Sequence, residues 1–237
     1  MPVDGGLCRT KVGITQYVFK PLNTEQQRAA QLVREHDVVF LTGAAGTAKT
    51  HIALGVALEL VQENHFRGLV LCRPLVEAGE KTGFLPGDEH QKMRPWLEPF
   101  GDCLESISFE KRDNFFEHVE SVPLARMRGR TFSRRIVILD EGQNASYAQL
   151  RLFLSRLGKA GKLLVTGDVT QCDLPGPCVL ETFARALDGV DVAGEGAQRH
   201  TIAWLRLLKC VRHPLVAEIT KRTARLRPRL GGAGGHY

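Results

Sequence analysis

The sequence predicts an α/β domain whose mainly parallel sheet carries helices on both faces. Three observations point there. Short runs of consecutive apolar residues alternate with stretches of helical period, a glycine-rich turn separates the first such run from a helix, and a later run ends in two adjacent acids. Strands that are apolar on both faces belong in a sheet covered on both sides, and strands separated by helices pair in parallel. A chain of 237 residues suffices for one such domain with elaborations.

Residues 1–20 read as an N-terminal extension, 21–220 as the domain, and 221–237 as a basic, glycine-rich tail. Leu22-Asn23-Thr24-Glu25-Gln26 opens a helix, with Thr24 as its N-cap and Gln27 three residues on. Val38 to Leu41 is a buried strand, followed by a glycine turn and a helical run from Lys49 to Glu63. Leu69 to Cys72 forms a second strand, closed by Arg73-Pro74. The stretch from Glu77 to Arg135 exceeds one crossover. It is expected to hold a helical insertion of two or three helices, one around Phe115 to Val119. Ile136 to Leu139 is the third strand. From Ala148 to Leu157, the residues Leu150, Phe153, Leu154 and Leu157 fall on one helical face, with Gly158 as the C-terminal stop. Lys162 to Thr166 gives a fourth strand and Thr201 to Leu208 a fifth.

Composition bounds the function. Hydrophobic residues make up 43%, an ordinary share for a chain with a real core. No apolar run is long enough to cross a bilayer, and Met1 to Lys20 lacks the apolar stretch of a signal peptide, so no membrane partner and a cytoplasmic location are expected. Six cysteines are scattered without the close spacing of a structural zinc site, and read as packed thiols. The net charge of +6 favours an anionic partner such as nucleic acid. Beyond Glu218 there is no acid, while Lys221, Arg222, Arg225, Arg227 and Arg229 crowd the end.

The turn Gly43-Ala44-Ala45-Gly46-Thr47-Ala48-Lys49-Thr50 joins a strand to a helix, the context in which backbone N–H groups cradle phosphates. Lys49 would reach the β- and γ-phosphates of ATP, and the Thr50 hydroxyl would ligate Mg²⁺. Ala48 stands where this phosphate-loop (P-loop) pattern has its second glycine. If position 48 is left-handed, alanine there costs about 1–2 kcal/mol.

Asp140 and Glu141 follow the third strand directly. Asp140 is the expected Mg²⁺ ligand, and Glu141 the base that activates a water, which points to hydrolysis. Val165-Thr166-Gly167-Asp168 and Gln171 close the next strand, where open α/β sheets bind ligands. Gln171 reads as a γ-phosphate or water sensor supported by Asp168, or else the segment is an ordinary Gly-Asp turn. The Gln26 amide fits an adenine edge, a role compatible with its place at a helix start.

These blocks, with Glu77-Ala78-Gly79-Glu80, Gly83-Phe84-Leu85-Pro86-Gly87, Met127-Arg128-Gly129-Arg130-Thr131, Gly142-Gln143-Asn144 and Val211-Arg212-His213-Pro214, resemble the PhoH family of P-loop ATPases from about Leu22 to Ile219. The resemblance implies a domain similar to the RecA-like N-terminal half of superfamily 1 helicases. It also implies ATP hydrolysis, homo-oligomeric hexameric rings and a role with RNA. Some relatives carry a fused PIN nuclease, which is not expected in a chain of this length. Departures are Ala48, Gly142 where alanine is usual, and Lys209 where aspartate is frequent. An arginine acting across a subunit boundary is expected to complete the site, with Arg212 the first choice and Arg128 and Arg130 the others. Arg73, Lys81, Lys92 and Arg94 form a basic set suited to single-stranded RNA or DNA. The expected function is ATP turnover coupled to such a strand; the alternative is a slow ATP-dependent switch or scaffold acting through a protein partner.

Overall fold

In the computed structural model the described residues are 18–74, 100, 101, 103, 119–211 and 214–223. Among them the strands are β1 (Val38–Gly43), β2 (Leu69–Cys72), β3 (Glu120–Ser121), β4 (Ile136–Leu139), β5 (Lys162–Gly167), β6 (Asp191–Ala193) and β7 (Arg199–Leu207). They form one sheet in the order β3-β2-β4-β5-β1-β7-β6. Every pairing is parallel except β6 with β7. β1 sits centrally, with Val39 beside Leu164 on one flank and Ala203 on the other. Helices cover both faces of the parallel strands, which is why β1, β2, β4 and β5 are buried throughout.

The apolar side chains of these strands alternate between two cores. Val39, Leu41, Leu71, Ile138 and Leu164 join a cluster with helices α1 (Thr24–Glu35) and α2 (Lys49–Gln62). Val38, Phe40, Val70, Leu139 and Val165 join the opposite one with α3 (Tyr147–Leu154) and α4 (Val179–Leu187). A short C-terminal helix, α5, spans Pro214–Thr223. The expected α/β architecture, a mainly parallel sheet with helices on both faces, is the observed one. The expected helical insertion falls mostly outside the described residues, as do most of the N-terminal extension and the tail.

Three local expectations are corrected. Asn23, not Thr24, caps α1: its side chain accepts from the Gln26 N–H at 2.9 Å while its backbone stays extended. Asparagine is among the strongest N-caps, and this register puts Gln26 rather than Gln27 at the third helical position. α3 starts one residue early, because Ser146 and Gln149 close a capping box, and it ends at Leu154. Gly158 is therefore no helix stop. A Cβ there would lie 2.7 Å from the Ser133 backbone nitrogen, so glycine lets two loops approach.

Candidate active site

The carboxyl ends of β1, β4 and β5 converge on a cavity of about 640 Å³, within the range of small-ligand sites. Of the residues singled out in the sequence, Ala45, Gly46, Ala48, Lys49 and Thr50 line it from the loop after β1. Asp140, Glu141, Asp168 and Gln171 face it from β4 and β5, and Gln26 from α1. Gly43, Ala44 and Thr47 shape the loop from behind. A Cβ on Gly43 would sit 2.3 Å from the Leu207 carbonyl oxygen, and the Thr47 hydroxyl donates to the Ala44 carbonyl at 2.9 Å. Arg212 lies outside the described residues, although the preceding Val211 lines the cavity and donates its N–H to the Gly46 carbonyl at 2.9 Å.

Ala48, the N-cap of α2, has φ 65° and ψ 26°, the left-handed conformation for which the P-loop pattern keeps glycine. Lys49 begins α2 and turns its ammonium back to the carbonyls of Gly43 (2.8 Å) and Ala44 (2.9 Å). The Thr50 hydroxyl donates to Asp140 Oδ1 at 2.9 Å, and the Thr166 hydroxyl donates to the same oxygen. Two loops far apart in sequence thus bring a hydroxyl and a carboxylate, both hard oxygen donors, to one point.

Glu141 is also left-handed, at φ 54°, so the chain turns sharply where β4 ends. Gln143 holds the result in place. Its Nε2 donates to Glu141 Oε2 at 2.5 Å, and its Oε1 accepts from the Asp168 N–H at 3.0 Å. The turn packs closely on β5, since a Cβ on Gly142 would lie 2.8 Å from Val165 Cγ1. An alanine there would need that valine to move.

Two polar atoms in the wall have no hydrogen-bond partner among the described residues. They are Gln26 Nε2 and Asp168 Oδ2, on side chains that are almost fully buried. Gln26 Oε1 already accepts from the Leu22 N–H at 2.8 Å, which fixes the amide and leaves its buried NH₂ unmatched among the described residues. His51 also lines the cavity; burial lowers its pKa, and its Nδ1 lies 3.5 Å from Cys103 Sγ.

Sequence reasoning assigned no role to Gln143 and set Arg73 among strand-binding cations. Arg73 instead lines this cavity and reaches Asp140 and Glu141. Lys81, Lys92 and Arg94 of the same basic set lie outside the described residues. Arg130 is committed within the chain: it pairs with Glu120 and lies over the Phe132 ring at 4.8 Å.

A sequence profile described as PhoH-like protein matches residues 18–224. The chain belongs to the PhoH-like protein family. It is 42% identical over 223 residues to a PhoH-like protein of Synechocystis, covering 91% of this chain and 64% of that one. It is 39% identical over 202 residues to a PhoH-like protein of Bacillus subtilis, covering 82% and 60%. This PhoH-like chain therefore spans about three fifths of the length of the curated relatives it matches. The crystal structure of Pif1 helicase from Candida albicans aligns with TM-score 0.46 and 16% identity, over 88% of this chain and 44% of that chain. That likeness is too distant to carry a function. The sheet and the loop after β1 make the chain a P-loop NTPase in architecture, and among the described residues no helix is long and apolar enough to cross a membrane.

Proposed function

We propose that the chain binds and hydrolyses ATP, and that turnover is coupled to single-stranded RNA or DNA in an oligomeric ring. The observation that carries this reading is the Thr50–Asp140 hydrogen bond, which joins the phosphate-type loop to the acid at the end of β4. The residues fit the expected groups. Two hard oxygens converge as a Mg²⁺ site needs, and the unmatched Gln26 NH₂, buried in the cavity wall, is a donor that a shift of its side chain would offer to an acceptor such as an adenine nitrogen. A magnesium ion held there would neutralise charge on the β- and γ-phosphate oxygens.

The chain's own residues supply the rest. Lys49 leaves its two loop carbonyls for the phosphates, and Gln26 orients the base. Glu141, fixed by Gln143, accepts a proton from the attacking water, while Gln171 on the rim senses the γ-phosphate. Arg212, directly after the cavity-lining Val211, is the arginine we assign to a neighbouring subunit's triphosphate. The slow-switch alternative is favoured by one observation, the left-handed alanine in the loop.

Steady-state ATP turnover of wild type and Glu141→Gln, with and without single-stranded RNA and DNA, tests the proposal. Loss of a general base lowers the rate about 10²- to 10⁴-fold, and oligonucleotide should stimulate the wild type. An unaffected Glu141→Gln rate refutes the hydrolytic assignment, and a wild-type rate blind to both nucleic acids favours the switch. Mixing Arg212→Ala with Lys49→Ala subunits restores turnover if the arginine acts between subunits. No recovery at any ratio removes that role.

A further inference from the structure

β2 and β4 are parallel neighbours, with Cys72 opposite Leu139, and the Asp140 N–H donates to the Cys72 carbonyl at 2.9 Å. The residues that follow the two strands, Arg73 and Asp140, therefore emerge side by side. Pro74 restricts Arg73 to extended backbone and limits how far the chain can swing away. The Arg73 guanidinium lies 3.7 Å from Asp140 Oδ2 through Nε and 3.3 Å from Glu141 Oε1 through a terminal nitrogen. The Arg73 side chain is 21% exposed and that of Asp140 is 5%, so water screens this contact weakly, whereas the Glu141 side chain is 40% exposed and its contact is screened more.

From this geometry we propose that Arg73 is the resident counter-ion of the acid pair. It occupies the acids until a triphosphate enters, and so makes divalent-ion binding conditional on nucleotide. The inference rests on the reading of the cavity as an ATP site and adds a positioning residue to it.

Three features carry it. A guanidinium cannot shed its charge, so Arg73 is a permanent competitor for Asp140 rather than a titrating one. Both Asp140 oxygens have partners within the chain: Oδ1 accepts from the two threonine hydroxyls, and Oδ2 forms the ion pair with Arg73. A bare cation must therefore displace a cation already in place. Arg73 also lines the cavity itself, so an incoming triphosphate offers it a second anion, and Asp140 is released to the metal. Arg73 then stays within reach of Glu141 and steadies it beside Gln143. By linkage, the factor by which nucleotide strengthens metal binding equals the factor by which metal strengthens nucleotide binding.

The test is Mn²⁺ titration, read by electron paramagnetic resonance, of the full chain alone and with a non-hydrolysable ATP analogue. Variants are Arg73→Ala, Arg73→Gln, Arg73→Lys and, as a surface-charge control, Lys159→Gln. Removing one unit charge about 4 Å from a metal ligand should tighten Mn²⁺ binding to the nucleotide-free protein on the order of tenfold. The gain from adding the analogue should shrink by the same factor. Arg73→Lys and Lys159→Gln should behave as wild type. Arg73→Gln keeps the measurement decisive should Arg73→Ala fail to fold. Because no step requires hydrolysis, the two readings separate. A wild type that binds no analogue refutes the nucleotide site and this proposal together. Analogue binding with unchanged or weaker Mn²⁺ affinity in folded Arg73→Ala or Arg73→Gln refutes this proposal alone.

Discussion

Replacing Ala48 by glycine removes a strain that the structure locates. Ala48 sits at φ 65° and ψ 26° with no side-chain cap, where a Cβ costs about 1–2 kcal/mol. Two effects oppose the gain. Glycine loosens the unfolded chain by about 0.4–1 kcal/mol, and the Ala48 methyl gives up its packing on the core beside α2. The net stabilisation is at most about 1 kcal/mol, or up to about 4 °C in Tm for a domain of this size. Urea and thermal unfolding measure it directly. Ala160 is a built-in comparison, left-handed at φ 53° and exposed, far from the cavity in its role. Ala160→Gly should gain a similar amount of stability, but only Ala48→Gly should also change nucleotide affinity. A Tm unchanged or lowered in Ala48→Gly, with Ala160→Gly raised, would refute the strain argument for the loop.

Two further outcomes follow from buried polar groups. Burial lowers the pKa of Lys162 to about 8 from 10.5, with Asp37 opposing the shift. Between those values the unfolded chain binds more protons, so the burial penalty is fully present below pH 8 and is relieved as pH rises toward 10.5. Wild type should therefore gain on Lys162→Met by up to about 3 kcal/mol between pH 7.5 and 10.5, and parallel urea midpoints across that range would contradict it. Gln26→Ala should weaken ATP and ADP binding alike, by about 1–3 kcal/mol, since it removes a donor to the base and none to phosphate. Calorimetry on both nucleotides checks this, and a loss confined to ATP would reassign Gln26 to the triphosphate.

What was legible in the sequence is what local chemistry dictates. Lys49 and Thr50 after a glycine turn, and Asp140 and Glu141 after an apolar run, are recognisable because phosphate and metal chemistry demands those types at that spacing. β1, β2, β4 and β5 were equally plain, being apolar on both faces. The edge strands were not. β6 is exposed throughout and β3 has two polar residues, so neither carries a hydrophobic pattern. α4 did carry one, with Leu180, Phe183, Ala184 and Leu187 at helical spacing, but it falls outside the expected elements. The contacts of Arg73 and Gln143 were beyond reach for another reason. They depend on the register of β2 against β4 and on the depth to which the turn after β4 packs on β5, quantities that no short window of sequence contains.

The pattern of satisfied and unsatisfied groups divides the cavity into two ends with different energetics. At the phosphate end most charged groups among the described residues engage a protein partner, Asp168 Oδ2 being the unmatched oxygen. Lys49 rests on loop carbonyls, Asp140 on two threonines and Arg73, and Glu141 on Arg73 and Gln143. A triphosphate there exchanges side-chain bonds within the protein for bonds to its own oxygens, so its entry rearranges Lys49, Asp140 and Arg73. At the base end the Gln26 NH₂ is buried without a partner among the described residues, and an acceptor placed against it removes a desolvation cost that the empty protein carries. On the proposed reading, the Gln26 amide contributes affinity for the base, and the distinction between ATP and ADP resides in which cation holds Asp140. On that same reading the protein changes state when the γ-phosphate leaves, the property that either a motor or a switch requires.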